Sequence, residues 1–362
     1  MNIVDVKIRN SYTVLGVMSG TSLDGLDLAV VKFNRVSANE HWTFEVKRCI
    51  TIEYPDHLSR KLREAITWER KAIDLLDQEL GEYMGLVIQK FLEQHKLTVD
   101  FVASHGHTIL HQPDKGLTLQ IGSGALINEA TGIPVINNFR MADVLAGGQG
   151  APLVPIGDRD LFSEFDMALN LGGIANISFN KNHRTLAFDI CPFNMALNEL
   201  AQRLGLPFDD RGEQSSKGEV IEEILSQLNN IGYLKSAPPK SLGLEDYLEY
   251  WQPILQLSNG SAKNLMRTYV EHAAAHISEA INANGGQKVL VTGGGAYHRF
   301  FIQRLSELAT AEIVVPENRI VEFKEAIVFA YLGLLRFEGK PNCLASVTGA
   351  REDVSGGDFY GF

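Results

Sequence analysis

An α/β fold in two halves that restart the same order of elements is predicted by three observations. A strand, a Gly-rich polar turn and a returning strand occur twice, first across residues 12–33 and again across 166–180. After each hairpin, apolar residues recur at three- and four-residue spacing, the period of amphipathic helices. A third glycine turn, Gly293-Gly294-Gly295, joins a short apolar strand to a helical pattern.

In the first half, residues 12–17 and 28–33 read as strands around the turn Gly20, Thr21, Ser22, Leu23, Asp24 and Gly25. Residues 41–52 alternate as a third strand and complete a meander. Helices follow at 57–67 and 73–95, the second with Leu75, Leu76, Leu80, Met84, Val87, Ile88 and Phe91 on one face. Residues 99–104 form a short buried strand leading into Ser104-His105-Gly106-His107-Thr108-Ile109, with further short strands at 118–121 and 135–137 around a helix at 125–131.

The second half repeats this grammar. Residues 166–171 are a strand, 172–176 a turn, 177–180 a returning strand and 186–190 its continuation. Helices are predicted at 196–204, 218–229 and 263–283, with 207–219 polar and loop-like. A strand at 287–291 runs into the turn 292–296, a helix at 297–308 and a strand at 312–315, and the last helix covers 325–337. A helix N-terminus after a glycine turn favours negative charge, so this unit suits a nucleotide, although a lone glycine triplet is also a common tight connection.

Composition narrows the function classes. The chain has 362 residues, 45% of them hydrophobic, enough for a large core and more than one domain. Its formal charge of -11 argues against a nucleic-acid or anionic-membrane partner, but local amides and a metal still accommodate a small anion. The three cysteines Cys49, Cys191 and Cys343 are far apart and odd in number, which points to free thiols in a reducing cytoplasm rather than a disulfide frame or zinc site. Neither a charged-then-apolar leader nor a long apolar run stands out, so a cytoplasmic protein is expected. A homodimer is left open.

The first hairpin has the chemistry of a phosphate and metal site. Gly20 and Gly25 let backbone amides face phosphate oxygens, Thr21 and Ser22 add hydroxyls, and Asp24 or Asp27 suits a magnesium ion held through water. An ordinary hairpin turn also favours Ser, Asp and Gly, and these residues alone do not separate the two readings.

The three glycine turns together resemble the sugar-kinase, actin and heat-shock ATPase superfamily. Residues 16–28, 104–109, Gly147-Gly148-Gln149-Gly150-Ala151-Pro152-Leu153-Val154-Pro155, 170–178, Pro238-Pro239-Lys240-Ser241, Gly293-Gly294-Gly295-Ala296 and Ser346-Val347-Thr348-Gly349-Ala350-Arg351 resemble, in order, the anhydro-N-acetylmuramic acid kinases. The resemblance implies a two-lobed actin-like ATPase (ribonuclease H-like) fold with duplicated mixed sheets flanked by helices, ATP and sugar sharing a cleft. It further implies that ATP and Mg2+ serve to hydrolyse a 1,6-anhydro sugar from cell-wall turnover at C1 and phosphorylate it on O6. In this frame Gly20 to Gly25 with Asp27, the second turn at Gly172 and Gly173, and Gly293 to Gly295 bind nucleotide, with Asp24 on the metal through water. Lobe one is placed at residues 1–134 plus 325–362, and lobe two at 135–324.

Such a reaction needs a carboxylate to activate water against the anomeric carbon, while the departing O6 meets the γ-phosphate in line. Asp189, at the end of a strand, is the candidate base; a turn-capping carboxylate is the plainer alternative. Here the chain departs from the family's Phe-Asp-Thr-Gly-Pro-Gly-Asn, reading Phe188-Asp189-Ile190-Cys191-Pro192-Phe193-Asn194. Ile190, Cys191 and Phe193 are expected to narrow the cleft, which keeps a kinase of another sugar and a non-catalytic ATP-binding relative as alternatives. Cys191 reads as a small packing residue. In the family the matching Arg140 and the loop with Gln149 border the sugar, Arg140 suiting a lactyl carboxylate, against a surface salt bridge to Asp143. Glu325 matches a sugar-contacting glutamate, or serves as a first-turn helix acid. His105 and His107 share a strand face, yet without a third ligand nearby they read as hydrogen-bonding residues rather than a metal pair.

Overall fold

The computed structural model describes residues 9–20, 23, 25–36, 41–238 and 240–362. The chain folds as two compact units, Met1–Leu161 with Phe323–Phe362, and Phe162–Glu322. The first carries β1 (Ser11–Ser19), β2 (Leu26–Arg35), β3 (Trp42–Ile52), β4 (Phe101–Gln112), β5 (Leu117–Ile121) and β6 (Val135–Asn137). The second carries β7 (Met167–Leu171), β8 (Ile174–Lys181), β9 (Arg184–Pro192), β10 (Lys288–Thr292) and β11 (Glu312–Val314), and β12 (Asp358–Tyr360) returns to the first.

One connectivity serves both units. The first sheet runs β12-β6-β4-β1-β2-β3 with β5 on β4, and the second runs β11-β10-β7-β8-β9. In each, an antiparallel meander is followed by two parallel neighbours: β4 beside β1 and β6 beside β4, β10 beside β7 and β11 beside β10. These are the two mixed sheets expected.

Apolar alternation sets the cores. In the first unit Leu15, Val17, Leu28 and Val30 pack with Leu76, Leu80, Met84 and Ile88 of the helix Arg70–His95. Each such side chain taken fully out of water stabilises by roughly 1.5–3 kcal/mol. Leu75, one step round the helix from Leu76, stays 61% exposed and does not belong to the predicted apolar face. The helix Asn318–Phe337 lies against β1 where Gly16 has no side chain; a methyl there would run into the Ala326 carbonyl. In the second unit the helix Ala262–Asn284 buries Leu265, Tyr269, Ala273, Ile277 and Ile281. Ser261 caps its start by accepting from Asn264 N, and Gly285 ends it at φ 73°.

Several elements differ from expectation. The turn after β7 is only Gly172-Gly173, because residues 174–176 already pair with β9. The strand from 101 continues to Gln112, paired with β5. The helix expected from 218 begins at Glu222, and that expected from 325 begins at Asn318. Helical turns at 244–257 went unread; Pro253, which has no amide to donate, follows a π turn at Tyr247–Trp251 and interrupts the pattern. Residues 135–161 lie in the first unit, where β6 pairs with β4 and β12, and Asp158 of the helix Pro155–Leu161 forms an ion pair of 3.0 Å with Lys324.

Candidate functional site

In the first unit, β1 and β2 pair out to Ser19 and Leu26, leaving the predicted phosphate turn between them. Gly20 O accepts from Leu23 N at 3.2 Å, and Leu23 adopts φ 61°. Gly25, at φ 154°, sits where a Cβ would lie 2.6 Å from Ile52 O, so β3 excludes any side chain there. Thr21, Ser22 and Asp24 lie outside the described residues. Asp27 faces β3, its Oδ1 accepting from Thr51 Oγ1 at 2.6 Å. Beneath the turn, Tyr54 OH donates to Ser19 Oγ at 2.7 Å, and Ser19 Oγ meets His107 Nδ1 at 2.9 Å. Burial pushes the His107 imidazole down to about 4, so it is neutral at physiological pH.

His105 and His107 do not share a face. Gly106, at φ 76°, inserts an extra residue where β4 pairs with β1, so Val17 opposes Ser104 but Ser19 opposes His107. His105 serves Arg140 instead: Arg140 Nε donates to His105 Nε2 at 2.9 Å. Since Arg offers donors only, His105 Nε2 accepts and its Nδ1 carries the proton, donated to Gly106 O at 2.9 Å. Burial and the Arg140 charge hold this imidazole well below its usual range.

Arg140 Nη1 donates to Gly150 O at 3.0 Å, which ties it to the loop containing Gln149. The alternative role for Arg140, a surface salt bridge to Asp143, is absent among the described residues. Asp143, fully buried, instead organises that loop: Oδ2 accepts from Gly150 N at 2.8 Å and Oδ1 from Thr348 Oγ1 at 2.8 Å. A side chain at Gly148 would collide with the Asp143 carboxylate. Gln149 itself is exposed, its amide held by Thr348 O at 2.8 Å. Glu325 lies beyond the first turn of its helix, half-buried near Arg140; burial raises its carboxyl, opposed by Lys324 and Arg140. Arg140, the Gln149 loop and Glu325 therefore come together. Sequence reasoning missed Asp143 and His105 as their supports, although an Asp just ahead of a Gly-rich run is the available signal for a carboxylate-wrapped loop.

In the second unit, Asp189 sits on β9, the edge strand of its sheet. Asn176 pairs with Asp189 but Ala175 with Cys191, so Ile190 is the extra residue of a bulge. Leu242 N donates to Asp189 Oδ2 at 2.8 Å. Oδ1 makes no hydrogen bond among the described residues. Burial raises this carboxyl to about 6, against the stabilising Leu242 amide. Such a group is ionised at neutral pH yet remains basic enough to take a proton.

The residues after Asp189 do not narrow a cleft. Ile190, Cys191 and Phe193 are 3%, 0% and 0% exposed and belong to the core. Phe193 stands edge-on to Phe301, 4.5 Å between centroids, and fills the space a side chain at Gly295 would occupy. Burial pushes the Cys191 thiol up to about 12, in keeping with a packing role.

Two glycine turns meet beside this core. Gly293, at φ 82°, packs on Leu171, where a Cβ would lie 2.9 Å from its carbonyl. Gly172 and Gly173 accept through their carbonyls from the amides of Asn194 and Phe193 at 3.1 and 2.7 Å. A Cβ at Gly173 or Gly294 would find its nearest neighbour at 3.8 Å, so no internal contact demands glycine at these two positions. Bare backbone there is what close approach of a ligand requires. The expected helix N-terminus is displaced: a 3-10 turn spans Gly294–Tyr297, the helix begins at Arg299, and His298 Nδ1 accepts from its Phe301 amide at 3.0 Å. His298 Nε2 lies 3.6 Å from Asp209 Oδ2, joining the predicted loop at 207–219 to the glycine turn. Asp209 resists burial and stays acidic, at about 2, through His298 and the amides of Gln214 and Ser215.

Among the described residues, no group of three or more His, Cys, Asp or Glu is disposed to hold a metal ion, and no helix is long and apolar enough to cross a membrane. A family model described as anhydro-N-acetylmuramic acid kinase matches residues 12–361. A protein of that name from Bacillus cereus is 33% identical over 372 residues, covering 94% of this chain and 97% of its own. Another, from Crocosphaera subtropica, is 33% identical over 380 residues, covering 96% and 98%. Among solved structures, a ROK family glucokinase from Streptomyces griseus in complex with glucose and AMPPNP aligns with a TM-score of 0.40 at 10% identity, covering 88% of this chain and 98% of that one.

Proposed function

The chain belongs to the anhydro-N-acetylmuramic acid kinase family, and we propose that it converts 1,6-anhydro-N-acetylmuramic acid, water and ATP into N-acetylmuramic acid 6-phosphate and ADP, with Asp189 as the base. The observation that carries this reading is the Asp189 carboxylate: held at Oδ2 by one amide, without a hydrogen bond at Oδ1 among the described residues, and raised by burial to about 6. Oδ1 takes a proton from water, the water oxygen bonds to C1, the C1–O6 bond breaks, and O6 takes the γ-phosphoryl group as ADP departs. Because O6 is captured by phosphorus, no separate acid is needed to protonate it.

The remaining roles follow from chemistry in each unit. Gly172, Gly173 and Gly293 to Gly295 offer backbone to the nucleotide phosphates, as does the turn Gly20 to Gly25 with Thr21, Ser22 and Leu23. Arg140, fixed at Nε and Nη1, keeps Nη2 without a hydrogen bond among the described residues and suits the lactyl carboxylate, with Gln149 and Glu325 toward the sugar hydroxyls. Mg2+ shields phosphate charge when bound; one or two carboxylates and several waters satisfy it, so Asp27, an oxygen donor near the turn, fits that need and Asp24 is its partner in this proposal. The readings as another sugar's kinase or a non-catalytic relative drew on the altered segment 190–193, with its lost hydroxyl and glycines; the burial of Ile190, Cys191 and Phe193 bears only on the narrowed cleft. Three cysteines far apart in sequence suit the cytoplasm, and the charge of -11 suits a small-molecule partner over nucleic acid or membrane.

A coupled assay for ADP release tests the reading. ADP production that depends on 1,6-anhydro-N-acetylmuramic acid is expected; ATP binding without sugar-dependent turnover would overturn it.

A further inference from the structure

We infer that Tyr233, Lys240 and Leu242 form a clamp on the bulge of β9, with Tyr233 as the positioning residue that holds Asp189 in place; this rests on Asp189 being the base. The edge strand creates the need. No strand pairs with the outer side of β9 among the described residues, and the extra residue Ile190 interrupts its ladder to β8 at Asp189. An edge strand with a bulge is the least restrained place in a sheet for a group that must be held within a fraction of an ångström.

The main chain of Asp189 turns outward to the clamp. Asp189 N donates to Lys240 O at 3.2 Å, and Tyr233 OH donates to Asp189 O at 2.8 Å. Leu242 N takes the side-chain oxygen Oδ2 at 2.8 Å. Amide, carbonyl and carboxylate of one residue are therefore all fixed, by Lys240, Tyr233 and Leu242, and the oxygen left over is the one that receives the proton.

The clamp is closed on itself independently of Asp189. Lys240 Nζ donates to Tyr233 O and Leu234 O, both at 3.3 Å, and lies 4.7 Å from the centre of the Tyr233 ring. That ring also meets Trp251 edge-on, with 6.0 Å between centroids. These ring contacts do not involve the hydroxyl, so a phenylalanine at 233 keeps the packing and removes only the bond to Asp189.

Tyr233→Phe is expected to lower kcat for sugar-dependent ADP release by about tenfold to a hundredfold, the scale of an ångström's misplacement of a reacting group. Its KM for ATP and its melting temperature should stay close to wild type. Lys240→Met, which removes the ammonium that ties Tyr233 O and Leu234 O but keeps the main-chain bond from Asp189 N to the carbonyl at 240, should lower kcat in the same direction by less, and it carries the test should Tyr233→Phe fail to fold. A folded Tyr233→Phe with wild-type kcat, or a loss expressed as a raised KM for ATP, overturns the clamp. Asp189→Asn, assayed in parallel, separates the two readings: turnover surviving in it refutes the base, whereas its inactivity beside a fully active Tyr233→Phe refutes the clamp alone.

Discussion

Asp143, in the helix Met141–Leu145 of the first unit, and Asp189, on β9 of the second, are carboxylates partnered in opposite ways. Both oxygens of Asp143 are occupied, one by the Gly150 amide and one by the Thr348 hydroxyl, and the glycine loop closes around it. Asp189 has one amide donor and one oxygen without a hydrogen bond among the described residues, and burial raises it to about 6. A saturated carboxylate is an anchor whose value lies in the loop it fixes. A carboxylate denied donors keeps its affinity for a proton and becomes available for chemistry.

The sharpest way to break this comparison is Asp189→Asn. Turnover should fall by roughly 10²–10⁴, the usual worth of a general base, with nucleotide binding by calorimetry largely intact. Lost ATP affinity would instead assign Asp189 to the metal. Next in size, Asp143→Ala strands the Gly150 amide and Thr348 hydroxyl, each such orphan costing about 1–3 kcal/mol. Urea unfolding should register that loss, and an unchanged midpoint would remove Asp143 as an anchor. Arg140→Lys keeps the charge but loses the fork that holds both His105 and Gly150; an increase of about tenfold in KM for the sugar is expected, with kcat nearly unchanged.

The smallest effects come with pH. The acid limb of the kcat profile should bend near pH 6, since Asp189 must be ionised to act. Stability should show the opposite trend. The folded carboxyl lies above its unfolded value, so the stability it contributes is full below about pH 4 and is lost as pH rises through about 6. Asp189→Asn should therefore melt a few degrees above wild type at pH 8, with the gap closing toward pH 4. A gap that widens on acidification would show that Asp189 is not a desolvated carboxylate.

Most of the architecture was legible in the chain. Hairpins read from Gly-rich turns between apolar runs, and helices such as 263–283 from their period, because both signals are local and each residue's face follows from counting along its own element. The candidate base was also legible, since an Asp at a strand end stands out without knowledge of its neighbours. Its environment was not. Ile190, Cys191 and Phe193 read as cleft residues until the bulge in β9 and the packing on Gly295 placed them in the core. One inserted residue changes which way the following side chains point, and no periodicity announces it. Likewise Gly106 parts His105 from His107, and Arg140 finds its partner 35 residues away. Sequence determined the order of elements and the kinds of groups at hand. Only the tertiary structure decided which carboxylate is saturated and which is left with a lone oxygen among the described residues, because donors reach a carboxylate from segments distant in sequence, Thr348 for Asp143 and Leu242 for Asp189.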